Sequence, residues 1–327
     1  MKKIALLTYL SRSGSTFLSS SLDKHPAFRV SIETDILQYL IEIPEHQLPD
    51  IQMIYRKLGQ KSLTLQRILD KEIFESCHQK LDHVSYYSVA SCMLQSHFKD
   101  AADVFIVKNR GGAWHLFRLA ECIPELKFIH IVRDGRAVLN SQYNTDRVYR
   151  KGKMAADPLL PAMTWKKWVG FVERFKEYYP DRIIEVRYED LVADHETQLA
   201  RVQKFLLGSE MLPNITDRDS DGYKERIPAK ELSLHANVGK KPMGMNIEKW
   251  KSSLSKRDIV AYELIAEKAL RNRGYEPLYN NKEKNKFLKD PLFLLYIFLC
   301  IVKMLGRKAE NFKYRILQRF GLSALDS

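Results

Sequence analysis

Residues 6–22, LLTYLSRSGSTFLSSSL, place an apolar run, a small polar turn and a helix start within seventeen residues. Ile4 to Leu10 is nearly continuous in its apolar character rather than alternating, as suits a strand buried on both faces. It gives way at once to Ser11-Arg12-Ser13-Gly14-Ser15-Thr16. Such a turn leaves backbone N–H groups without partners. Gly14 allows close approach of an anion to the backbone, and the helix that follows offers its positive end. Arg12, Ser15 and Thr16 add side-chain donors, so a phosphate is the guest this chemistry fits. The nucleoside-triphosphatase loop GxxxxGK[ST] is not matched, because no Lys precedes a Ser or Thr at that spacing and Arg12 stands ahead of the glycine. An ordinary strand-to-helix turn uses the same small residues, so the loop alone does not decide.

The chain repeats this order. Residues 27–31, 103–107, 127–132 and 182–186 read as further strands, running into the polar segments Glu33-Thr34-Asp35, Lys108-Asn109-Arg110-Gly111-Gly112, Arg133-Asp134-Gly135-Arg136 and Arg187-Tyr188-Glu189-Asp190. Helical patterns follow at 114–120, 137–143, 163–178 and 196–206. Strand, polar turn and helix in repetition predict an α/β fold, a parallel β-sheet flanked by helices with its ligands at the C-terminal ends of the strands. Mixed helical periodicity over 46–82 predicts two helices inserted beside the sheet. Residues 145–161 read as a loop over the site, 208–245 as irregular, and helix returns at 246–254 and 257–271.

With 327 residues and 45% hydrophobic content the chain can bury one full domain, assigned to 1–281, followed by a basic helical tail over 282–327. Of the formal charge of +13, the tail carries +6, with ten Lys or Arg against four Asp or Glu. What remains fits a small polyanion better than nucleic acid, since no aromatic stacking platform is interleaved with the cations. Cys77, Cys92, Cys122 and Cys300 form no CxxC pair, so neither a zinc site nor a disulfide framework is expected, and a reducing compartment is the simpler reading. The apolar run after Met1-Lys2-Lys3 is short and leads straight into the loop; it reads as a first strand rather than a secretory signal, giving a cytoplasmic, at most membrane-peripheral, expectation. The twelve residues 291–302 are too few for the ~20 that span a bilayer. They read either as a helix in the membrane interface with basic flanks on anionic lipid, or as a helix packed on the domain or on a second copy through 287–320.

Four runs taken together, SRSGSTFLSSSLDKHP at 11–26, FIHIVRDGRAVLNSQ at 128–142, RYEDLVADHETQL at 187–199 and HANVGKKPMGMNIEKWKSSLS at 235–255, resemble the sulfotransferases that use 3′-phosphoadenylyl sulfate (PAPS). The first is similar to the family's 5′-phosphosulfate loop in its carbohydrate and tyrosyl-protein members. The second, with Arg133 eight residues ahead of Ser141, is similar to its 3′-phosphate motif. The resemblance implies a P-loop nucleotide-kinase-like sulfotransferase fold, PAPS as donor with no metal, and a glycan or other hydroxyl acceptor. It implies that Arg12, Ser13, Gly14, Ser15 and Thr16 wrap the 5′-phosphosulfate, that Arg133 and Ser141 hold the 3′-phosphate, and that Tyr188, Val238, Gly239, Lys240 and Lys249 line the nucleotide. Lys108 falls where relatives place a lysine near the sulfuryl group, and Glu33, followed by Thr34, where tyrosyl-protein members place a catalytic glutamate. Ile32 departs from their second acid, which leaves tyrosine peptides and lipid-like alcohols as alternatives to carbohydrate sulfation. Each residue also has a plainer reading: Arg133 with Asp134 as a surface ion pair, Glu33 as a first-turn helix acid, Lys108 as a strand-end solubiliser, and His25, His130 and His235 as structural. A P-loop kinase or a non-catalytic membrane module are the remaining alternatives.

Overall fold

Five runs of β-branched and long aliphatic residues form one parallel sheet in a computed structural model that describes residues 2–61, 69–98, 102–110, 115–145, 157–208, 223 and 245–319. The strands are β1 (Lys3–Tyr9), β2 (Phe28–Glu33), β3 (Val104–Asn109), β4 (Lys127–Val132) and β5 (Ile183–Arg187), in the spatial order β2-β3-β1-β4-β5. All four neighbouring pairs are parallel. Central β1 buries Ile4, Ala5, Leu6 and Leu7 completely, as a strand covered on both faces must. Each sequence-expected strand is present within two residues of its expected ends.

Helix α1 (Ser15–Asp23) follows β1, and α2 (Ile36–Leu40), α3 (Ile51–Lys61), α4 (Lys71–Gln79) and α5 (Tyr86–Phe98) lie between β2 and β3. The insertion therefore adds α5 to the two expected helices. Its residues from Tyr87 to Leu94 are all buried, so it carries no amphipathic stripe by which sequence could mark it. Helix α6 (Leu116–Cys122) precedes β4, and the carbonyls of its last turn and of the chain leading to β4 accept from Arg182: Ala120 O at 2.9 Å, Ile123 O at 2.7 Å and Leu126 O at 2.9 Å. Helices α7 (Gly135–Thr145) and α8 (Leu159–Tyr178) bracket the expected loop, whose residues 146–156 lie outside the described ones. Helix α8 begins earlier than expected. The Asp157 carboxylate accepts from the N–H groups of Leu159 and Leu160, and Pro161 is tolerated in the first turn. After β5 come α9 (Tyr188–Ala193), α10 (His195–Leu207), α11 (Met245–Glu248), α12 (Trp250–Ser253), α13 (Lys256–Arg271), α14 (Asn281–Leu288) and α15 (Pro291–Arg319).

The chain divides into two compact units, residues 1–133 with 171–244 and residues 134–170 with 245–327. The first holds the sheet and a core built around Leu7, Leu18, Ile106, Ile129 and Val186. The second is organised around Glu263, fully buried on α13 and joined to Arg136 at 2.6 Å and Lys284 at 3.4 Å. Arg136 also grips Asp134 at 2.8 Å and lies over the Trp250 ring. Burial opposes its charge, but the two carboxylates prevail and raise its pKa. Gly135 is a packing necessity, since a Cβ there would stand 2.0 Å from the Tyr262 hydroxyl.

One expectation is corrected. Cys77 on α4 and Cys92 on α5 form a disulfide, with Cα atoms 5.5 Å apart. Neither cysteine marks this in sequence because the pairing depends on α5, and a bond of this kind is at home in oxidising surroundings rather than in the reducing compartment that the Cys spacing implied. Cys122 and Cys300 are free. A crosslink closing a sequence separation of 15 residues restricts the unfolded chain, so reduction should lower the unfolding free energy by about 2–3 kcal/mol. Denaturant titration with and without reductant checks this, together with a Cys77–Cys92 crosslinked peptide in the non-reduced digest; coincident curves would show that the bond contributes nothing.

Candidate active site at the strand ends

The strand order sets the order of the candidate residues. Across the C-terminal edge of the sheet run Glu33 at the end of β2, Lys108 near the end of β3, the loop after β1, Arg133 just past β4 and Tyr188 just past β5. Neighbouring strands lie about 4.8 Å apart. The chain leaves β1 toward β2 on one side and leaves β4 toward β5 on the other. Loops that diverge in this way open a crevice at the edge of a parallel sheet.

The loop is shaped by two left-handed residues, Arg12 at φ 76° and Gly14 at φ 91°. Gly14 meets two demands. Its φ favours glycine, and a Cβ there would stand 2.2 Å from the Tyr188 ring, so Tyr188 packs against a backbone without a side chain. Arg12 adopts the same region without that freedom, at a cost of order 1 kcal/mol. The Ser13 N–H closes the turn onto Leu10 O at 3.1 Å, and Ser13 and Ser15 are buried.

Arg133 lies over the Tyr188 ring, 4.5 Å from its centre, and donates to Arg12 O at 3.2 Å. Arg12 and Arg133 are thereby brought near each other. Burial first, then the charge of Arg133, lowers the pKa of Arg12. Burial likewise raises the Tyr188 phenol, against the opposing pull of Arg133. Two guanidinium groups that repel each other across a glycine turn make a site whose electrostatics favour a polyanion.

On the other side of the loop, buried Lys108 donates from Nζ to Thr16 Oγ1 at 3.1 Å and to the Tyr223 hydroxyl at 3.2 Å, with the Tyr9 ring 5.5 Å away. Its ammonium is thus held at the first turn of α1. Lys108 pairs with Glu33 in the β2–β3 register, beyond a bulge. Glu33 is therefore a strand-end residue and not a first-turn helix acid, and its side chain is 46% exposed. The Tyr9 hydroxyl donates to Glu33 Oε2 at 2.7 Å, and Arg110 Nε stands 3.4 Å from Oε1. Burial and then the Glu33 charge raise the Tyr9 pKa well above its ordinary value, which keeps the phenol protonated and donating. Asn109 ties the next residues down, donating to Thr34 O at 2.8 Å and to Asp35 at 2.6 Å.

Tyr9, Arg110 and Tyr223 were not singled out from sequence as site residues. Tyr9 could have been found as the polar-tipped residue closing β1, whereas the sequence around Tyr223 carries no periodic signal. Ser141 is half-buried on α7 of the second unit, and Lys249 is exposed at the start of α12 in the same unit. Val238, Gly239 and Lys240 lie outside the described residues, as does His235. The plainer readings hold for two histidines: His130 is buried and pairs with Glu185 at 2.9 Å, and His25 Nδ1 accepts from the Ala27 N–H.

Protein-tyrosine sulfotransferase A of Caenorhabditis elegans is 24% identical over 82% of this chain and 66% of its own length. The protein-tyrosine sulfotransferase of Drosophila melanogaster is also 24% identical, over 84% of this chain and 52% of its own. An omega-hydroxy-beta-dihydromenaquinone-9 sulfotransferase of Mycobacterium bovis is 31% identical over 31% of this chain and 28% of its own. The chain thus spans less than two thirds of the length of these relatives. In fold it is similar to the sulfotransferase domain of the curacin biosynthetic pathway, with a TM-score of 0.51, 18% identity and coverage of 84% of this chain and 99% of that one. The Sulfotransferase family model matches residues 8–210, from the end of β1 to just past α10, so that loop, Glu33, Lys108, Arg133 and Tyr188 all fall within the match and the chain belongs to the sulfotransferase family.

Proposed function

We propose that the protein transfers a sulfuryl group from PAPS to a hydroxyl oxygen. The observation that carries this reading is the pair Arg12 and Arg133, held together at the Gly14–Tyr188 contact despite their repulsion. PAPS supplies, when bound, an SO₃ group on a phosphate leaving group. The residues fit such a guest: Gly14 leaves the backbone open, Arg12, Ser13, Ser15 and Thr16 offer donors for the 5′ side, and Arg133 offers a guanidinium for a second anion. Ser141, Lys249 and the run Val238, Gly239 and Lys240 are assigned to the nucleotide on the sequence resemblance. Lys108, aimed at the first turn of α1, stabilises negative charge that grows on the leaving oxygen. Glu33 takes the acceptor proton, and Tyr9 orients its carboxylate.

The acceptor we propose first is a glycan hydroxyl, because the Ser-Arg-Ser-Gly-Ser-Thr loop resembles carbohydrate-directed members and Ile32 stands where tyrosyl-protein members carry an acid. The second reading is a tyrosine or a lipid-like alcohol, favoured by the names of the relatives. Cytoplasmic placement has the Cys77–Cys92 bond against it, and fractionation of the native host would decide it.

Calorimetric titration with 3′-phosphoadenosine 5′-phosphate should give binding without added metal, weakened about 10- to 100-fold by Arg133→Ala, the loss of one charged hydrogen-bonding partner; equal affinity for ATP with Mg²⁺ would overturn the reading. Glu33→Gln should lower kcat by about 10²–10⁴-fold while leaving that nucleotide affinity nearly unchanged, and full activity in the variant would move the base elsewhere. Transfer of labelled sulfate from PAPS across saccharide, tyrosyl-peptide and long-chain alcohol panels should favour the saccharides; exclusive labelling of another panel would replace the glycan assignment while leaving the chemistry in place.

A further inference from the structure

From Pro291 to Val302 the tail helix α15 is apolar over its whole circumference, but the described residues cover only one side of it. From Pro291 to Val302 its only polar side-chain groups are the Tyr296 hydroxyl and the Cys300 thiol. Side chains advance about 100° per residue around a helix. Phe293, Tyr296, Ile297, Cys300 and Met304 consequently share one side, and they pack with Val260 and Ala261 of α13 within the second unit. The Tyr296 hydroxyl donates to Asp258 of α13, which fixes the rotation of the helix about its axis. Leu295, Phe298, Leu299, Val302 and Leu305 fall on the opposite side. Phe298 is 60% exposed and Leu305 56%, and Leu292, Leu294 and Ile301 extend the same surface to about half the circumference. A helix apolar all round belongs in surroundings that are apolar all round, and among the described residues its own chain supplies only half of them.

Charge identifies what covers the rest. Lys282, Lys286 and Lys289 are exposed ahead of the apolar run, Lys303 is exposed at its end, and Arg307 and Lys308 follow in sequence. In a pairing of two copies along this face, parallel or antiparallel, a basic end would meet a basic end. A surface that is apolar inside and anionic outside satisfies the helix and both of its flanks. Twelve residues extend about 18 Å, short of the ~30 Å hydrocarbon core, and among the described residues no helix is long and apolar enough to cross a membrane. We infer that the outer face of α15 docks the protein on the surface of a membrane containing anionic lipid, with the helix lying in the interface and its lysines on the headgroups.

The test uses the full chain and vesicles of phosphatidylglycerol mixed with phosphatidylcholine, compared with phosphatidylcholine alone. The protein should co-sediment with the anionic vesicles, and more weakly at high salt. Phe298→Glu with Val302→Glu should reduce that binding by about tenfold or more, because both side chains leave water on docking, while the thermal midpoint of the free protein stays unchanged. Lys286→Glu with Lys289→Glu should weaken binding to the anionic vesicles and leave the weak binding to neutral ones unchanged. The inference is overturned if the parent stays in the supernatant, if either pair of substitutions leaves anionic-vesicle binding as it was, or if sedimentation equilibrium finds a dimer that Phe298→Glu with Val302→Glu dissociates, since a second copy would then occupy the face.

Discussion

The contact of the Tyr188 ring with the bare backbone of Gly14 is the constraint around which Arg12 and Arg133 are arranged. Like charges at a strand edge ordinarily spread into solvent; here the Arg133 guanidinium is held over the Tyr188 ring and bonded to the Arg12 carbonyl. The Tyr188 ring itself rests where a side chain on residue 14 would be. A single glycine therefore sets the distance between β1's loop and the chain after β5, and through Tyr188 it sets the place of the cation after β4. The depressed pKa of Arg12 reflects the cost of that arrangement, first in burial and then in mutual charge. A bound polyanion would add a contribution of opposite sign to both guanidinium groups.

The sheet conveys the same precision to the other half of the site. Lys108 and Glu33 are register partners, so their relative height along the strands follows from β2–β3 pairing rather than from side-chain chance. The bulge before Glu33 breaks the regular ladder at that point, and the Ser31 hydroxyl accepts from the Lys108 N–H at 2.9 Å to make good the interruption. Thr34 N–H returns to Lys108 O at 2.9 Å. Asn109 then fastens Thr34 and Asp35, so a carboxylate nearly half exposed to water still has a fixed backbone beneath it.

The sheet was legible in sequence because a strand buried on both faces leaves a contiguous apolar run, as in Ile4 to Leu7 and in Val104 to Val107. The cations at the strand ends were legible because each breaks such a run. What could not be read depended on contacts distant in the chain. Helix α5 is buried all round and lacks the stripe that marks a surface helix, and the Cys77–Cys92 bond depends on the place of α5. Tyr223 meets Lys108 across 115 positions, and no local pattern encodes such a meeting. The tail shows the same limit from the other side: its sequence left a packed helix and an interfacial helix open, and the structure presents one face for each.

The base role proposed for Glu33 asks that positioning and reactivity be balanced at one carboxylate. A base must be held still, and the donors that hold it also stabilise its charged form and so reduce its appetite for a proton. Tyr9 binds Oε2 through a neutral hydroxyl kept protonated by burial, while the cation of Arg110 stands at 3.4 Å from Oε1, beyond a close hydrogen bond. An ionised carboxylate has about four lone-pair sites, so a single strong donor orients the group and leaves room for an incoming hydroxyl. The neutral donor is the close one and the charged donor the distant one.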